Sequence, residues 1–226
     1  MSTALRKADP LTIARFYRDA ERRITSLVEG LDEAGQQTSV AACPGWSVRD
    51  VVAHVTAVAD EWGRGVLTGP PTDEQTAAQV ARFDGQRLAD IIAAWRDATA
   101  RLCRLAEDSG LEPPIGDVVA HEHDIRGALR RPGARDAEAV RYTADRLLDT
   151  LRAPIPLRVA MEGAEFRTGP DDGPELRLCT TRFEALRWRT GRRSRAQLAV
   201  MDWSADPSPV LDHLCLFGPA EADLVE

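Results

Sequence analysis

CPGWSVRDVVAHVTAVADEW, residues 43–62, decides how this chain is read. Pro44-Gly45 interrupts the backbone, and Ser47 with Asp50 makes the S-x-x-D spacing of a capping box, so a helix is predicted to begin at Val48. Its apolar stripe runs through Val48, Val51, Val52, Val55, Ala59, Trp62 and Val66. At 100° per residue His54 lies about 60° from Val51 around the axis, on the border of the buried face. An imidazole there can point into a bundle.

Working outward, Ile13, Phe16, Tyr17, Ala20, Ile24, Leu27, Val28 and Leu31 keep helical spacing from Leu11 onward. Residues 67–75, LTGPPTDEQ, read as a loop. A third helix is predicted between about Asp84 and Asp108, with Leu88, Ile91, Ile92, Trp95, Leu102 and Leu105 as its stripe, stopped by Ser109-Gly110 and Pro113-Pro114. A fourth starts near Gly116 and ends before Arg131-Pro132-Gly133, and a fifth covers about Asp136 to Arg152. Beyond Pro154 the pattern changes. Leu157, Val159 and Met161 alternate and then reach TGPDDGP, which predicts a hairpin returning through Leu176, Leu178 and Thr180. A short helix through Phe183, Leu186 and Trp188, closed by Gly191, and a further helix over Ala196 to Trp203 complete the reading. The expected class is α+β: a helical bundle over residues 1–153 and a small α+β domain over 154–226.

The 226 residues carry 43% hydrophobic content, enough for a sizeable core, with a formal charge of -7 and a pI near 5.2. That balance argues against nucleic acid, whose binding leaves a clustered basic footprint. The N-terminal stretch MSTALRKADPLTIARFYRDAERR has no continuous apolar leader, and no run approaches the ~18 residues a membrane span needs, so a cytoplasmic protein with no membrane partner is expected. Cys43, Cys103, Cys179 and Cys215 form no C-x-x-C pair and read as reduced thiols.

Chemistry concentrates in the fourth predicted helix. Asp117 and His121 stand four residues apart, so their Cβ atoms lie about 5 to 6 Å from each other on one face, and Asp124 follows on the same side. His123 and Glu122 are turned away from it. If His54 approaches across the bundle, three ligands surround one divalent ion and leave a coordination position open. Each half has a plainer reading, a hydrogen-bonded core histidine for His54 and a helix-surface pair for Asp117 with His121. Glu61 reads as a solvated helix charge and Cys43 as a packing residue, since no Cys/His motif is visible. The dense basic stretch Arg187, Arg189, Arg192, Arg193 and Arg195 is either a solvated face or a holder of carboxylates, with Arg192 and Arg193 the candidate cofactor contacts.

Two segments, CPGWSVRDVVAHVTAVADEW and DVVAHEHDIRGALRRPG, resemble the signature stretches of the mycothiol-dependent maleylpyruvate isomerase family, within the DinB-like metal-binding helical bundles. The stretch FEALRWRTGRRS resembles the C-terminal domain of these proteins. The resemblance implies an up-down bundle holding a divalent metal, zinc by expectation, on His54, Asp117 and His121. It implies mycothiol as the low-molecular-weight thiol that acts as nucleophile on a small electrophile, by isomerisation or S-transfer, in a monomer or homodimer. Asp124 is expected to orient an imidazole from behind, and the C-terminal domain to shape the substrate pocket. Asp117 is one methylene shorter than the glutamate of the founding isomerases, which calls for a closer helix. The alternatives are a non-enzymatic metal-bearing bundle that binds a small molecule or protein partner, and a helical domain with no metal.

Overall fold

A computed structural model describes residues 8–226. Residues 1–7, with which the N-terminal stretch quoted above begins, lie outside the described residues. The chain divides into two compact units, one of helices ending at Gly133 and one spanning Ala134–Val225.

The first unit contains α1 (Pro10–Val28), α2 (Glu33–Gln36), α3 (Val48–Gly63), α4 (Asp73–Ala81), α5 (Leu88–Ser109) and α6 (Ile115–Ala128). α1 starts where Asp9 accepts from Thr12 N and Pro10 supplies a preset φ. α3 starts at the predicted residue, because the Ser47 side chain accepts from Asp50 N while the Asp50 carboxylate accepts from Ser47 N. Such a cap contributes about 1 kcal/mol and, more to the point, fixes the rotation of α3 and so the direction of His54. Val51, Val52, Val55, Ile24, Ile91, Trp95, Leu102, Val118, Val119 and Ile125 form the core, all 4% exposed or less. α5 packs on α1 and α3, and α6 packs on both as well.

Two helices depart from the periodicity. α2 is a single turn too short to show a stripe. α4 begins inside the predicted 67–75 loop, because Thr72 and Gln75 close a second capping box immediately after Pro70-Pro71. Only Gln79 of its nine residues is buried, so an apolar repeat had nothing to report.

The second unit contains α7 (Glu138–Asp149), β1 (Leu157–Met161), β2 (Ala164–Thr168), β3 (Leu176–Cys179), α8 (Arg182–Arg189), α9 (Arg195–Ala199), β4 (Asp202–Trp203) and a 3-10 turn at Leu211–His213. The strand order is β2-β1-β3-β4. The hairpin is not the predicted one: β1 returns through Glu162-Gly163 into β2, with Leu157 opposite Thr168, and β3 lies parallel to β1. Gly163, at φ +72, takes the left-handed turn that a two-residue connection requires. β2 escaped the reading because Phe166 is its only large apolar residue. The last predicted helix also stops early, since only Arg195–Ala199 is helical and Asp202–Trp203 pairs with β3.

The units meet at Gly133 and Ala134 rather than at the predicted 153/154 boundary. The physical reason is α7, whose buried Val140, Ala144 and Leu148 belong to a helix that packs on α8. The α+β class stands, a helical bundle followed by a smaller mixed unit. Among the described residues no helix is long and apolar enough to cross a membrane, and the four cysteines are free thiols.

Candidate metal centre

Three elements of the helical unit converge on one point. α3 brings His54, α6 brings Asp117 and His121, and the loop before α3 brings Cys43 and Trp46. That loop is held by Val40 N donating to Trp46 O, Cys43 N to Val40 O, and Val48 N to Thr38 O. α6 begins directly after Pro113-Pro114 with no side-chain cap, and Asp117 in its first turn places a carboxylate where the helix dipole favours one. On the opposite side of α6, Glu122 accepts both nitrogens of the Arg23 fork from α1 at 2.7 to 3.0 Å. This pins the helix that carries two of the three candidate ligands.

His54 Nε2 stands 3.5 Å and His121 Nε2 3.4 Å from the same atom, Asp117 Oδ1. The two imidazoles are 5.1 Å apart between centroids and steeply inclined, at 79°, so their nitrogens face one volume instead of stacking. Both histidines are buried, whereas the Asp117 side chain keeps 25% exposure. Trp46 leans over both rings, 5.1 Å from His54 and 6.4 Å from His121. Behind His121, Nδ1–H donates to Asp124 Oδ2 at 2.9 Å. A carboxylate there keeps the proton on Nδ1 and leaves Nε2 as the electron-pair donor.

Burial opposes the charge on Asp117, but the His121 and His54 rings overcome it and hold the carboxyl far below the usual range. For His121 burial likewise opposes charge, yet Asp117, Asp124 and Cys43 raise its pKa well above 6.5. Without a cation, therefore, these groups form an imidazolium–carboxylate pair. The stabilisation from His121 is complete below pH 6.5 and fades as pH climbs through the raised value. That from Asp117 is complete above pH 3.8 and fades as pH falls through the lowered one. A cation must displace the His121 proton. Apparent zinc affinity is therefore expected to increase with pH from 6 through neutrality by up to about tenfold per unit while one proton is exchanged, as read by chelator competition; a flat profile would contradict this pairing.

The donor set fits a divalent ion on its own evidence. His54 Nε2 and His121 Nε2 each face Asp117 Oδ1, at 3.5 and 3.4 Å, and among the described residues His54 has no other side-chain hydrogen bond. His54, Asp117 and His121 each offer one atom, all within 4.8 Å of one another. Two neutral imidazoles and a carboxylate are a set that leaves a tetrahedral ion one further position.

Sequence reasoning missed the company the site keeps. Cys43 Sγ–H donates to Asp124 Oδ2 at 3.5 Å and lies 3.8 Å from His121 Nδ1; no local spacing links a loop cysteine to a helix so far along the chain. Glu61 accepts from Gln79 Nε2 at 2.6 Å. Of the basic stretch, Arg187 and Arg189 are buried outright. Arg193 donates two hydrogen bonds to Glu184, at 2.8 and 2.9 Å, and half-buried Arg192 donates to Thr190 O. These arginines build the second unit, and the solvated-face reading does not describe them.

Residues 17–118 match the mycothiol maleylpyruvate isomerase N-terminal domain. The matched stretch covers most of the helical unit. The match takes in His54 and Asp117 and stops short of His121. No curated protein matches the chain. Among solved structures, the mycothiol-dependent maleylpyruvate isomerase aligns at 12% identity over 82% of this chain and 90% of that one, with a TM-score of 0.54. A histidine-to-alanine mutant of that isomerase aligns over the same shares at 12% identity, with a TM-score of 0.53. At this identity the likeness establishes the fold, shared by chains whose sequences have otherwise diverged.

Proposed function

We propose that this protein is a metal-dependent, mycothiol-using isomerase of small conjugated electrophiles, with His54, Asp117 and His121 as the ligands of a divalent ion, zinc by its donor chemistry. One observation carries the reading: two imidazole nitrogens flank a single carboxylate oxygen. A divalent ion held there would supply a Lewis acid able to lower the pKa of a thiol, the nucleophile that reversible addition to a double bond requires. The chain's own residues do the rest. Asp124 holds the His121 ring in one tautomer and one orientation, and Trp46 shields the imidazoles from solvent on the loop side. Isomerisation is preferred to S-transfer because the family match and both solved relatives carry the isomerase name. Arg193 is not assigned a cofactor contact in this reading, since its fork is filled by Glu184.

The test is turnover of maleylpyruvate by zinc-loaded protein with mycothiol, against parallel reactions with glutathione, cysteine and no thiol. Conversion that needs both zinc and mycothiol is expected. Zinc binding without turnover of maleylpyruvate or a panel of related electrophiles would instead favour a bundle in which the ion only fixes helix positions.

A further inference from the structure

Cys43 brings a sulfur to the back of His121, where the metal centre described above has no use for one. Its Sγ lies 3.5 Å from Asp124 Oδ2 and 3.8 Å from His121 Nδ1, and Nδ1 lies 2.9 Å from the same Oδ2. A thiol, an imidazole and a carboxylate therefore form a triangle of three different donors, with all three atoms within 4.8 Å of one another. Tetrahedral bonds of about 2.3 Å to sulfur and about 2.0–2.2 Å to nitrogen and oxygen set ligand atoms about 3.4–3.6 Å apart. Each measured edge falls within about half an ångström of that spacing. The frame around them is firm: Cys43 N donates to Val40 O at 2.9 Å and Trp46 N to Cys43 O at 3.0 Å, while Asp124 and His121 are buried on α6. The two nitrogens of the His121 ring thus face different donor sets, Nε2 toward Asp117 and Nδ1 toward Asp124 and Cys43. A neutral imidazole carries one N–H and one lone pair, so it binds an ion through only one nitrogen at a time.

We propose that Cys43, His121 Nδ1 and Asp124 form a second metal site, selective for a soft cation of the copper(I) type, and that filling it empties the first. Sulfur is what separates the two sets. Thiolate selects copper(I), whereas two imidazoles and a carboxylate are an ordinary zinc set. On binding, the Cys43 thiol gives its proton to solvent and its sulfur to the ion. The His121 proton leaves Nδ1, where copper takes its place, and returns to the ring at Nε2; the lone pair that held the first ion is then gone. No electron is transferred, since the ion enters and leaves as copper(I). The competition rests on the metal reading above, whereas the second site stands on its own distances.

The test is a titration with copper(I) without oxygen, in ascorbate rather than thiol, against a chromogenic copper(I) chelator. A thiolate-to-copper charge-transfer band in the ultraviolet reports the sulfur bond, and an indicator reports zinc released from zinc-loaded protein. Expected for the wild type are the band, complete at a single equivalent, and release of the bound zinc. Cys43→Ser, which keeps a hydroxyl where the thiol stood, should lose the band and hold its zinc under the same copper. His54→Ala breaks only the first site and should keep the band. A wild type without the band would overturn the proposal before any variant is made. A band that survives in Cys43→Ser would overturn it too, by placing the copper on Cys103, Cys179 or Cys215. Copper bound at Cys43 with zinc still in place would overturn the competition. Wild-type protein that never binds zinc but forms the Cys43 band would remove the metal reading above and leave the second site standing.

Discussion

Zinc is expected to be absent from both His54→Ala and His121→Ala, and the two variants should differ in what else they lose. Each removes one of three donors, and two remaining donors do not hold a catalytic ion against a chelator. Activity should fall in both by more than about 100-fold, the upper range for losing a group that only orients a ligand. Their stabilities separate them. His121 Nδ1–H donates to the Asp124 carboxylate, so His121→Ala also breaks a charge-assisted hydrogen bond, about 1.5–3 kcal/mol. For a chain of this size each kcal/mol lowers the metal-free midpoint by about 2–4 °C. His54 Nδ1 has no partner to lose; its removal costs the 3.5 Å contact of Nε2 with Asp117, longer than the His121–Asp124 bond, and ring contacts with Trp46 and His121, and the metal-free midpoint should fall less. Metal content by elemental analysis and unfolding in the presence of chelator give both readings. Near-stoichiometric zinc retained in either variant would show that the ion sits elsewhere.

The candidate ligands were singled out by two local rules. The Ser47/Asp50 box set the start of α3 to the residue and with it the direction of His54, and the four-residue interval put Asp117 and His121 on one face of α6. What the sequence could not carry is distance between elements. That His54 Nε2 and His121 Nε2 share one oxygen of Asp117 depends on how α3 and α6 pack, and only the resemblance to a known family supplied a reason to bring them together. Cys43 shows the limit from the other side, since its contact with Asp124 spans loop to helix and leaves no periodic trace. In the second unit the strongest turn signal, TGPDDGP, misled the strand pairing. It turns the chain between β2 and β3, whereas the hairpin hinges on one inconspicuous glycine, Gly163. Paired arginines likewise read as surface until Glu184 is seen to fill the fork of Arg193. Charge patterns report helix faces well only when the partner lies on the same helix.

Glu122→Ala should be the most destabilising single change in α6, by about 3 kcal/mol, the low end of the range for stripping one partner from a buried ion pair. Glu122 is completely buried and accepts from Arg23 of α1 through both nitrogens of its fork, and from Arg126 one turn further along α6. Removal leaves two guanidinium groups without their carboxylate. The low end applies because Arg23 keeps 27% and Arg126 14% side-chain exposure and can recover some hydration. Glu122→Gln, which keeps the shape and half the acceptor capacity, should lose less. Because Glu122 points away from the face that carries Asp117 and His121, the folded fraction of either variant should bind zinc with near wild-type affinity. Denaturant unfolding checks the first part, through a lowered midpoint at unchanged slope. A loss under 1 kcal/mol in Glu122→Ala would mean that Val118, Val119 and Ile125 anchor α6 by apolar contact alone. The ion pair would then serve only to choose which face of the helix turns toward α1, and hence which face carries Asp117 and His121 toward α3.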